Sequence, residues 1–219
     1  MSTVFLQPKS PVGGLTKLEF MYTPQIEYSH DVKYDTYALT HTNYQPYAYG
    51  RSENPSISLS CKFTAHTTEH FLRSEYAIRF LRTYTKMNYG RNDPQRGQPP
   101  RILRFFAYGA NVFNDVPVLI SKFGVTFPED VDYVQGEFDN NNTIKSFISR
   151  DVAKPTNTAP GDTRSPVVTA SGDEGYKMYL PMIFTINISL LVQQNLSRAV
   201  NEFTLNDFAQ GKLYGKGYI

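Results

Sequence analysis

The segment His66-Thr67-Thr68-Glu69-His70 holds the residue types best suited to metal chemistry. It matches the H-x-x-E-H motif of inverted zinc proteases, in which two imidazoles share a metal ion and the carboxylate activates water. That chemistry requires all three side chains on one helix. Here His66 precedes the expected helix and belongs to the end of a strand. The chain contains only four histidines, so few further ligands exist, and we predict no metal site.

The other candidates for chemistry are weaker. Asp130-x-Asp132 could hold a divalent cation, but so common a pair is more often a solvated loop edge. No G-x-S-x-G, P-loop or dinucleotide motif is present. Cys61, the one cysteine, excludes an internal disulfide and is predicted to be a buried, inactive thiol. The sequence thus predicts no catalytic residues, no cofactor and no small-molecule substrate.

Secondary structure is predicted most clearly between Ser56 and Val134. This segment begins with a strand in which apolar and polar residues alternate. In Ser56–Ala65 the apolar residues occupy every second position, which is typical of a half-buried strand. A helix of about twenty residues follows. A loop rich in Gly and Pro then leads to a second strand region from Arg101 to Phe127.

The helix is predicted from its capping residues and its apolar stripe. Thr67 or Thr68 can cap it, and Gly90 is a natural stop. The stripe comprises Leu72, Tyr76, Ala77, Phe80, Leu81, Tyr84 and Met87. The opposite face comprises Glu75, Arg79, Arg82 and Lys86, with Glu75 and Arg79 spaced as an ion pair.

The N-terminal quarter is predicted to be extended. Residues 1–14 are expected to form a loosely held arm, and Leu15–Tyr22 a strand with Leu18, Phe20 and Tyr22 on one face. Residues 25–54 are dense in tyrosine and are predicted to form a long hairpin or loop. Two interpretations of this run stand side by side: a surface for protein contacts, where tyrosine is enriched, or a second sheet layer of the same domain.

The later part of the chain is predicted to contain more strands and one long insertion. Strands are expected at Ile102–Phe106 and Val116–Phe127, with a turn at Asn114-Asp115 and a short segment at Asp130–Val134. Residues 135–175 are expected to be a surface insertion. Met178–Val192 alternates over fifteen residues, which is long for one strand, so it either bends or extends into the sheet of another subunit. In the C-terminal tail, residues 197–219, Thr204 could start a short helix, and glycines prevent a longer one.

Composition favours a mainly β (α+β) protein of one domain over residues 1–219, with 16 tyrosines, 15 phenylalanines and a net charge of +2. Between Arg73 and Arg104, eight basic residues face two acidic ones, a local charge of +6. Such a segment is more often a solvated face or a subunit contact than a nucleic-acid site. No secretion signal and no apolar run of about 18 residues occur, so we expect no membrane insertion and a soluble protein made in the cytoplasm.

Several separated motifs together resemble a known family. They are Glu69-His-Phe-Leu-Arg, Phe80-Leu-Arg-Thr-Tyr-Thr-Lys-Met87, Pro99-Pro-Arg-Ile-Leu, Tyr108-Gly109, Asn114-Asp-Val-Pro-Val118, Val131-Asp-Tyr133, Tyr179-Leu-Pro-Met, Ile188-Ser-Leu190, Phe208, Gly211, Leu213, Gly215 and Gly217-Tyr-Ile219. In this order they resemble the baseplate tail-tube initiator proteins of contractile-tailed bacteriophages, which are relatives of the tail tube protein. The likeness runs from about Ile57 to the C-terminus.

The resemblance implies a β-sandwich or incomplete barrel with one flanking helix and long loop insertions. It implies a homo-hexameric ring in the virion, assembled in the host cytoplasm, that joins the baseplate hub proteins to the tail tube protein. DNA would pass through the lumen only as cargo. The polar residues expected to face the lumen are Ser58, Ser60, Asn187 and Ser189. The residues expected at contacts between subunits or rings are Tyr34, Tyr37, Tyr44, Tyr47, Phe203, Phe208, Tyr218 and Ile219.

Two alternatives remain at this point. Within the same structural class, the chain could be the tail tube protein itself or another hub subunit. In a different class, it could be a single-stranded nucleic-acid-binding β-barrel protein, in which basic residues follow the phosphates and aromatic rings stack on bases.

Overall fold

The computed structural model describes residues 4–138, 144–149 and 177–219. Over these residues the protein is mainly β, as the sequence predicts, with a large antiparallel sheet and three α-helices. The strands are β1 (Phe5–Pro8), β2 (Leu18–Glu19), β3 (Gln25–Ser29), β4 (Val32–Thr36), β5 (Tyr47–Ser52), β6 (Ser56–Thr64), β7 (Leu103–Ala107), β8 (Phe113–Thr126), β9 (Tyr133–Phe138), β10 (Ile144–Ser149), β11 (Lys177–Pro181) and β12 (Ile183–Val192). The helices are α1 (Thr68–Tyr84), α2 (Leu196–Glu202) and α3 (Leu205–Ala209), followed by a 3-10 turn at Tyr214–Lys216.

The described strands form three sheets. The largest has seven strands in the order β2-β1-β7-β8-β12-β6-β3, the second has the order β10-β9-β11, and the third is the hairpin β4-β5. Neighbours along the chain, such as β11 and β12, therefore belong to different sheets.

The chain divides into two compact units. The first comprises Met1–Cys61, Phe80–Gly124 and Asn187–Ile219, and the second comprises Lys62–Arg79 and Val125–Ile186. The single domain expected over residues 1–219 stays a prediction. The four boundaries between the units fall one each inside β6, α1, β8 and β12. No stretch with the composition of a linker therefore lies at a boundary.

Two long strands contribute buried residues at every second position. In β6 the buried side chains include Ile57, Leu59, Cys61 and Phe63, as the alternation predicts, and in β12 they are Phe184, Ile186, Ile188, Leu190 and Val192. The other face of both strands carries mainly Ser, Thr and Asn. Burying one face of a strand in this way fixes its register, because a shift by one residue would expose the entire apolar set.

The N-terminal arm predicted over residues 1–14 is wrong for the described residues up to Pro8. β1 lies inside the large sheet, paired with β2 on one side and β7 on the other. Val4 and Leu6 are completely buried, and the ring of Phe5 stacks on Phe106 with 4.6 Å between centroids. These cross-strand contacts stabilise β1. Its four residues are too few to predict a strand from the sequence alone.

Two other local predictions are corrected. The strand expected at Leu15–Tyr22 is reduced to the two residues of β2, although Leu18 and Phe20 are buried as expected. Asn114-Asp115 does not form a turn. It lies within β8 beside a register shift in the pairing with β7, and Asp115 has a φ of 56°. A bulge and a turn share the same residue preferences, since both need unusual backbone angles.

The helix α1 is capped as predicted, because the Thr67 hydroxyl accepts a hydrogen bond from the His70 backbone N–H at 3.2 Å. Most of the expected stripe is buried, namely Ala77, Phe80, Leu81 and Tyr84, and the buried face also includes Phe71, Ser74 and Ile78. Leu72 is exposed, and Met87 lies beyond the end of the helix.

Contacts in the second unit explain why Phe71 and Ser74 are buried as well. The Phe71 ring lies 5.9 Å from that of Phe138, and Ser74 donates a hydrogen bond to the Thr64 carbonyl oxygen at 3.1 Å. The predicted pair is present, with 3.5 Å between Arg79 Nε and Glu75 Oε1. Burial raises the pKa of Glu75 against the lowering influence of Arg79.

The fifteen-residue strand predicted at Met178–Val192 is two strands separated at Met182. β11 pairs with β9, whereas β12 belongs to the seven-stranded sheet. At the break, the backbone of Met182 forms hydrogen bonds with residues that belong to neither strand. Its N–H donates to the Asp132 carbonyl oxygen, and its carbonyl oxygen accepts from the Ala65 N–H, both at 2.8 Å. The predicted insertion at residues 135–175 contains β10 and part of β9; its other residues lie outside the described ones.

The C-terminal tail begins with a helix that was not predicted from the sequence. Asn195 caps α2 by accepting from the Arg198 N–H at 3.3 Å, and Arg198 pairs with Glu202 one turn later. The short helix predicted at Thr204 is present as α3, with the Thr204 hydroxyl accepting from the Asp207 N–H at 3.2 Å.

Candidate assembly surface

The four residues expected to face a lumen lie together on the exposed face of the large sheet. Ser58 and Ser60 of β6 and Asn187 and Ser189 of β12 line one shallow depression of about 270 Å³. We call these four residues the serine face. β6 and β12 are neighbours in the sheet, and within each strand every second residue projects to the same side.

The serine face is polar but almost uncharged. β3 adds Gln25 and Glu27, which lie opposite Ser60 and Ser58 in the antiparallel register. Among the residues that line the depression, Glu27 alone is charged and none is aromatic. Such a surface offers hydrogen bonds to water but neither cations for phosphate groups nor rings for stacking on bases.

The large sheet ends in an open edge at β3. This strand pairs with β6 on one side and has no strand on the other within the described part of the chain. Four of its five residues are exposed. An open edge of five residues exposes backbone N–H and C=O groups that can pair with another chain.

The opposite edge of the sheet is better protected. β2 has only two residues, and Lys17 beside it pairs with Glu19 at 2.6 Å while lying 3.9 Å from the centroid of the Phe5 ring. Short length and charged side chains are common ways to block edge pairing. The edge at β3 is therefore the one available for strand addition.

The hairpin β4-β5 follows β3 in the chain as a separate, tyrosine-rich ribbon, which we define as residues 32–52. Within it every residue is exposed except Ala48, which is half-buried. Tyr34 and Tyr49 contact each other edge to face across the two strands, with ring centroids 6.2 Å apart. Tyr44 is 88% exposed and Tyr47 is 70% exposed. An isolated two-stranded hairpin is at best marginally stable in water.

This exposure argues against one of the two interpretations of the tyrosine run. A second layer of the same domain would bury one face of the ribbon, and the structure buries neither. Tyrosine combines a large apolar ring with a polar hydroxyl. It therefore suits surfaces that are exposed to solvent in the free subunit and buried in a complex. The contact-surface interpretation is therefore the one that the ribbon's geometry favours.

The predicted contact residues of the C-terminal tail differ in accessibility. Phe203 is 42% exposed, and Phe208 and Ile219 are half-buried. Tyr218 is a correction, because it is only 5% exposed. Its ring lies 5.9 Å from that of Phe203 and 5.9 Å from the guanidinium carbon of Arg198, so it belongs to the core of the first unit.

The histidine motif is arranged as its spacing predicts. His66 lies between β6 and α1, and His70 lies in the first turn of α1, where its Nδ1 is 3.4 Å from the Thr64 hydroxyl. Within the described ranges no three His, Cys, Asp or Glu side chains are grouped to hold a metal ion.

The thiol of Cys61 is buried, and burial raises its pKa from 9.0 to about 12. Because the thiolate is the reactive form, its population at pH 8 falls roughly 1,000-fold relative to an exposed cysteine. We expect a chromogenic disulfide reagent to label the native protein at least 100-fold more slowly than the urea-unfolded protein. Equal rates in both states would show that the thiol is accessible.

Comparisons with known proteins add no family. No protein-family model matches this chain, and no curated protein matches it. None of the helices in the described part of the chain is long and apolar enough to cross a membrane.

Proposed function

We propose that this chain is a structural subunit of a homo-hexameric ring in the baseplate of a contractile-tailed phage. The ring joins the central hub to the tail tube and initiates tube polymerisation. The observation that carries the proposal is the open edge at β3 together with the exposed tyrosine ribbon that follows it in the chain. The sequence resemblance described above supplies the biological setting.

Ring closure accounts for the open edge. In a cyclic assembly each subunit presents one surface to the next subunit and a different surface to the previous one. The β3 edge and the ribbon together form one such surface, and the next copy supplies its complement. An edge that would cause aggregation in a monomer is then covered in every subunit.

The serine face has the polarity and charge that we expect of a channel lining. A lumen that DNA crosses during ejection has to avoid strong binding, and phosphate binding depends on Lys and Arg side chains. Ser58, Ser60, Asn187 and Ser189 provide neutral polar groups, and Glu27 beside them would repel phosphate. The same features argue against the single-stranded nucleic-acid binder at this face, since that function needs cations and aromatic rings.

Contacts beyond the ring fall to other parts of the first unit. The exposed tyrosines Tyr34, Tyr37, Tyr44 and Tyr47 and the C-terminal residues Phe203, Phe208 and Ile219 would contact adjacent subunits, the hub proteins or the first ring of tube protein. Tyr218 is not included, because its own unit covers it.

Sedimentation velocity of the purified chain tests the proposal, alone and with hub and tube proteins. We expect a closed species of about 150 kDa, six times the mass of the 24.9 kDa chain, and annular particles in electron micrographs. A monomer at all concentrations, alone and with hub and tube proteins, would contradict it.

Two further measurements separate the alternatives. One ring per virion identifies an initiator, whereas many copies identify the tube protein. Steep loss of single-stranded DNA binding with rising salt would favour the nucleic-acid binder.

A further inference from the structure

The first unit contains a second, larger depression away from the serine face, with a volume of about 470 Å³. Three cations line it, Lys9 after β1, Arg104 on β7 and Arg198 on α2. We call it the cationic cavity. Its volume falls in the range of about 300–1,000 Å³ that is typical of ligand sites.

The two arginines are held in place by carboxylates that do not line the cavity. Arg104 donates from Nη1 to the Asp115 carboxylate at 3.3 Å, and Arg198 donates from Nε to Glu202 at 3.0 Å. These contacts fix each guanidinium while engaging one nitrogen of three. A guanidinium has five N–H donors, so both arginines retain donors for a further acceptor.

Lys9 supplies the uncompensated charge. It is exposed, and it forms no ion pair with any residue in the described ranges. An anion entering the cavity would therefore meet one free ammonium and two preorganised guanidinium groups, each capable of charge-assisted hydrogen bonds.

Apolar side chains make up another part of the lining. Ile102 is 44% exposed and Leu196 is 79% exposed, and both line the cavity. A leucine with that exposure next to a concave surface gains by being covered, because burial removes its apolar surface from water. Phosphate alone would leave these two side chains exposed.

We propose that the cationic cavity binds a segment of a partner protein that presents a carboxylate beside a branched aliphatic side chain. The carboxylate complements Lys9, Arg104 and Arg198, and the aliphatic group covers Ile102 and Leu196. This inference is independent of ring formation, since neither the β3 edge nor the tyrosine ribbon takes part in it.

N-acetyl-leucine is the smallest probe with both groups, and N-acetyl-leucinamide is its neutral counterpart. In a 1H–15N NMR titration of the full chain we expect N-acetyl-leucine to shift the amide signals of Lys9, Ile102 and Leu196. The leucinamide should bind about tenfold more weakly, because it lacks the carboxylate.

Matched variants separate the cavity from the general surface. Lys9→Glu should weaken N-acetyl-leucine binding about tenfold and Leu196→Ser about threefold. Lys122→Glu and Leu191→Ser, two exposed substitutions outside the cavity, should leave it unchanged. Equal binding of acid and amide, or no effect of Lys9→Glu, would overturn the proposal. So would tighter binding of inorganic phosphate than of N-acetyl-leucine at the same residues, which would identify a phosphate site.

Discussion

Removal of the tyrosine ribbon is expected to abolish ring formation while leaving the free energy of unfolding of the monomer almost unchanged. The ribbon buries almost nothing in its own chain, because only Ala48 within it is even half-buried. Its aromatic contact between Tyr34 and Tyr49 is internal to the ribbon. In the proposed ring, however, its five exposed tyrosines belong to the subunit contact.

The deletion can be made without straining the chain. The Glu53 backbone N–H donates to the Asp31 carbonyl oxygen at 2.8 Å, so the two ends of the ribbon are already adjacent. Replacing residues 32–52 by Asn-Gly, a favoured two-residue hairpin turn, should preserve that hydrogen bond. Sedimentation velocity measures the assembly, and urea denaturation measures the stability.

Substitutions provide the controls for this deletion. Tyr34, Tyr37, Tyr44 and Tyr47 changed together to serine should weaken assembly strongly, because aromatic residues dominate interface energies. Tyr89→Ser alters an equally exposed tyrosine outside the ribbon and should have no effect. Rings of normal size after the deletion would exclude the ribbon from the subunit contact.

The elements that the sequence predicts well are those whose pattern is local. The alternation in β6 and the capped helix α1 each require only one stretch of chain, and both are present. The one misplaced position within α1 has a non-local cause. Leu72 fits the helical period but is exposed, because the packing of Phe71 on Phe138 buries the neighbouring position instead.

The elements that the sequence does not predict depend on partners that are distant along the chain. β1 is four residues long and contains Pro8, and it becomes a strand because β2 and β7 flank it. The break at Met182 is invisible in the apolar alternation, which continues on both sides of it. It is set by hydrogen bonds to Asp132 and Ala65, which lie far away in the sequence.

The candidate surfaces also differ in how far the sequence alone predicts them. The serine face follows from alternation in two strands, although their adjacency in the sheet could not be read from either one. Tyr218 has the sequence position of a free C-terminal aromatic residue, and only the contacts with Phe203 and Arg198 place it in the core. The cationic cavity combines residues 9, 104 and 198, and no spacing rule connects them.

The second large expected effect is a loss of stability on substitution of Gly217. This glycine is buried and has a φ of 80°, a region that L side chains rarely adopt. A Cβ atom here would lie closer than 3.0 Å to the Asp115 carbonyl oxygen and 3.2 Å from Pro117 Cδ. The Gly217 carbonyl oxygen also accepts a hydrogen bond from the Gln194 side chain, so the backbone is held from two sides.

We expect Gly217→Ala to lower the free energy of unfolding by roughly 2–5 kcal/mol, from backbone strain and overpacking together. Urea denaturation followed by circular dichroism measures this change. The clash involves a backbone oxygen at the β8 bulge, which Arg104 also binds at 3.1 Å, so neither partner can move freely. Relief would require the tail to leave its site, which would expose Tyr218.

Two other glycines separate the causes of this loss. A Cβ atom added at Gly215 would have no neighbouring atom within 4 Å, and φ is not positive there, so Gly215→Ala should change stability by no more than about 0.5 kcal/mol. Gly109 has a φ of 88° but equally open surroundings, so Gly109→Ala should cost only the strain, about 1–2 kcal/mol. If Gly217→Ala costs no more than Gly109→Ala, the close packing of the tail against Asp115 contributes nothing to stability.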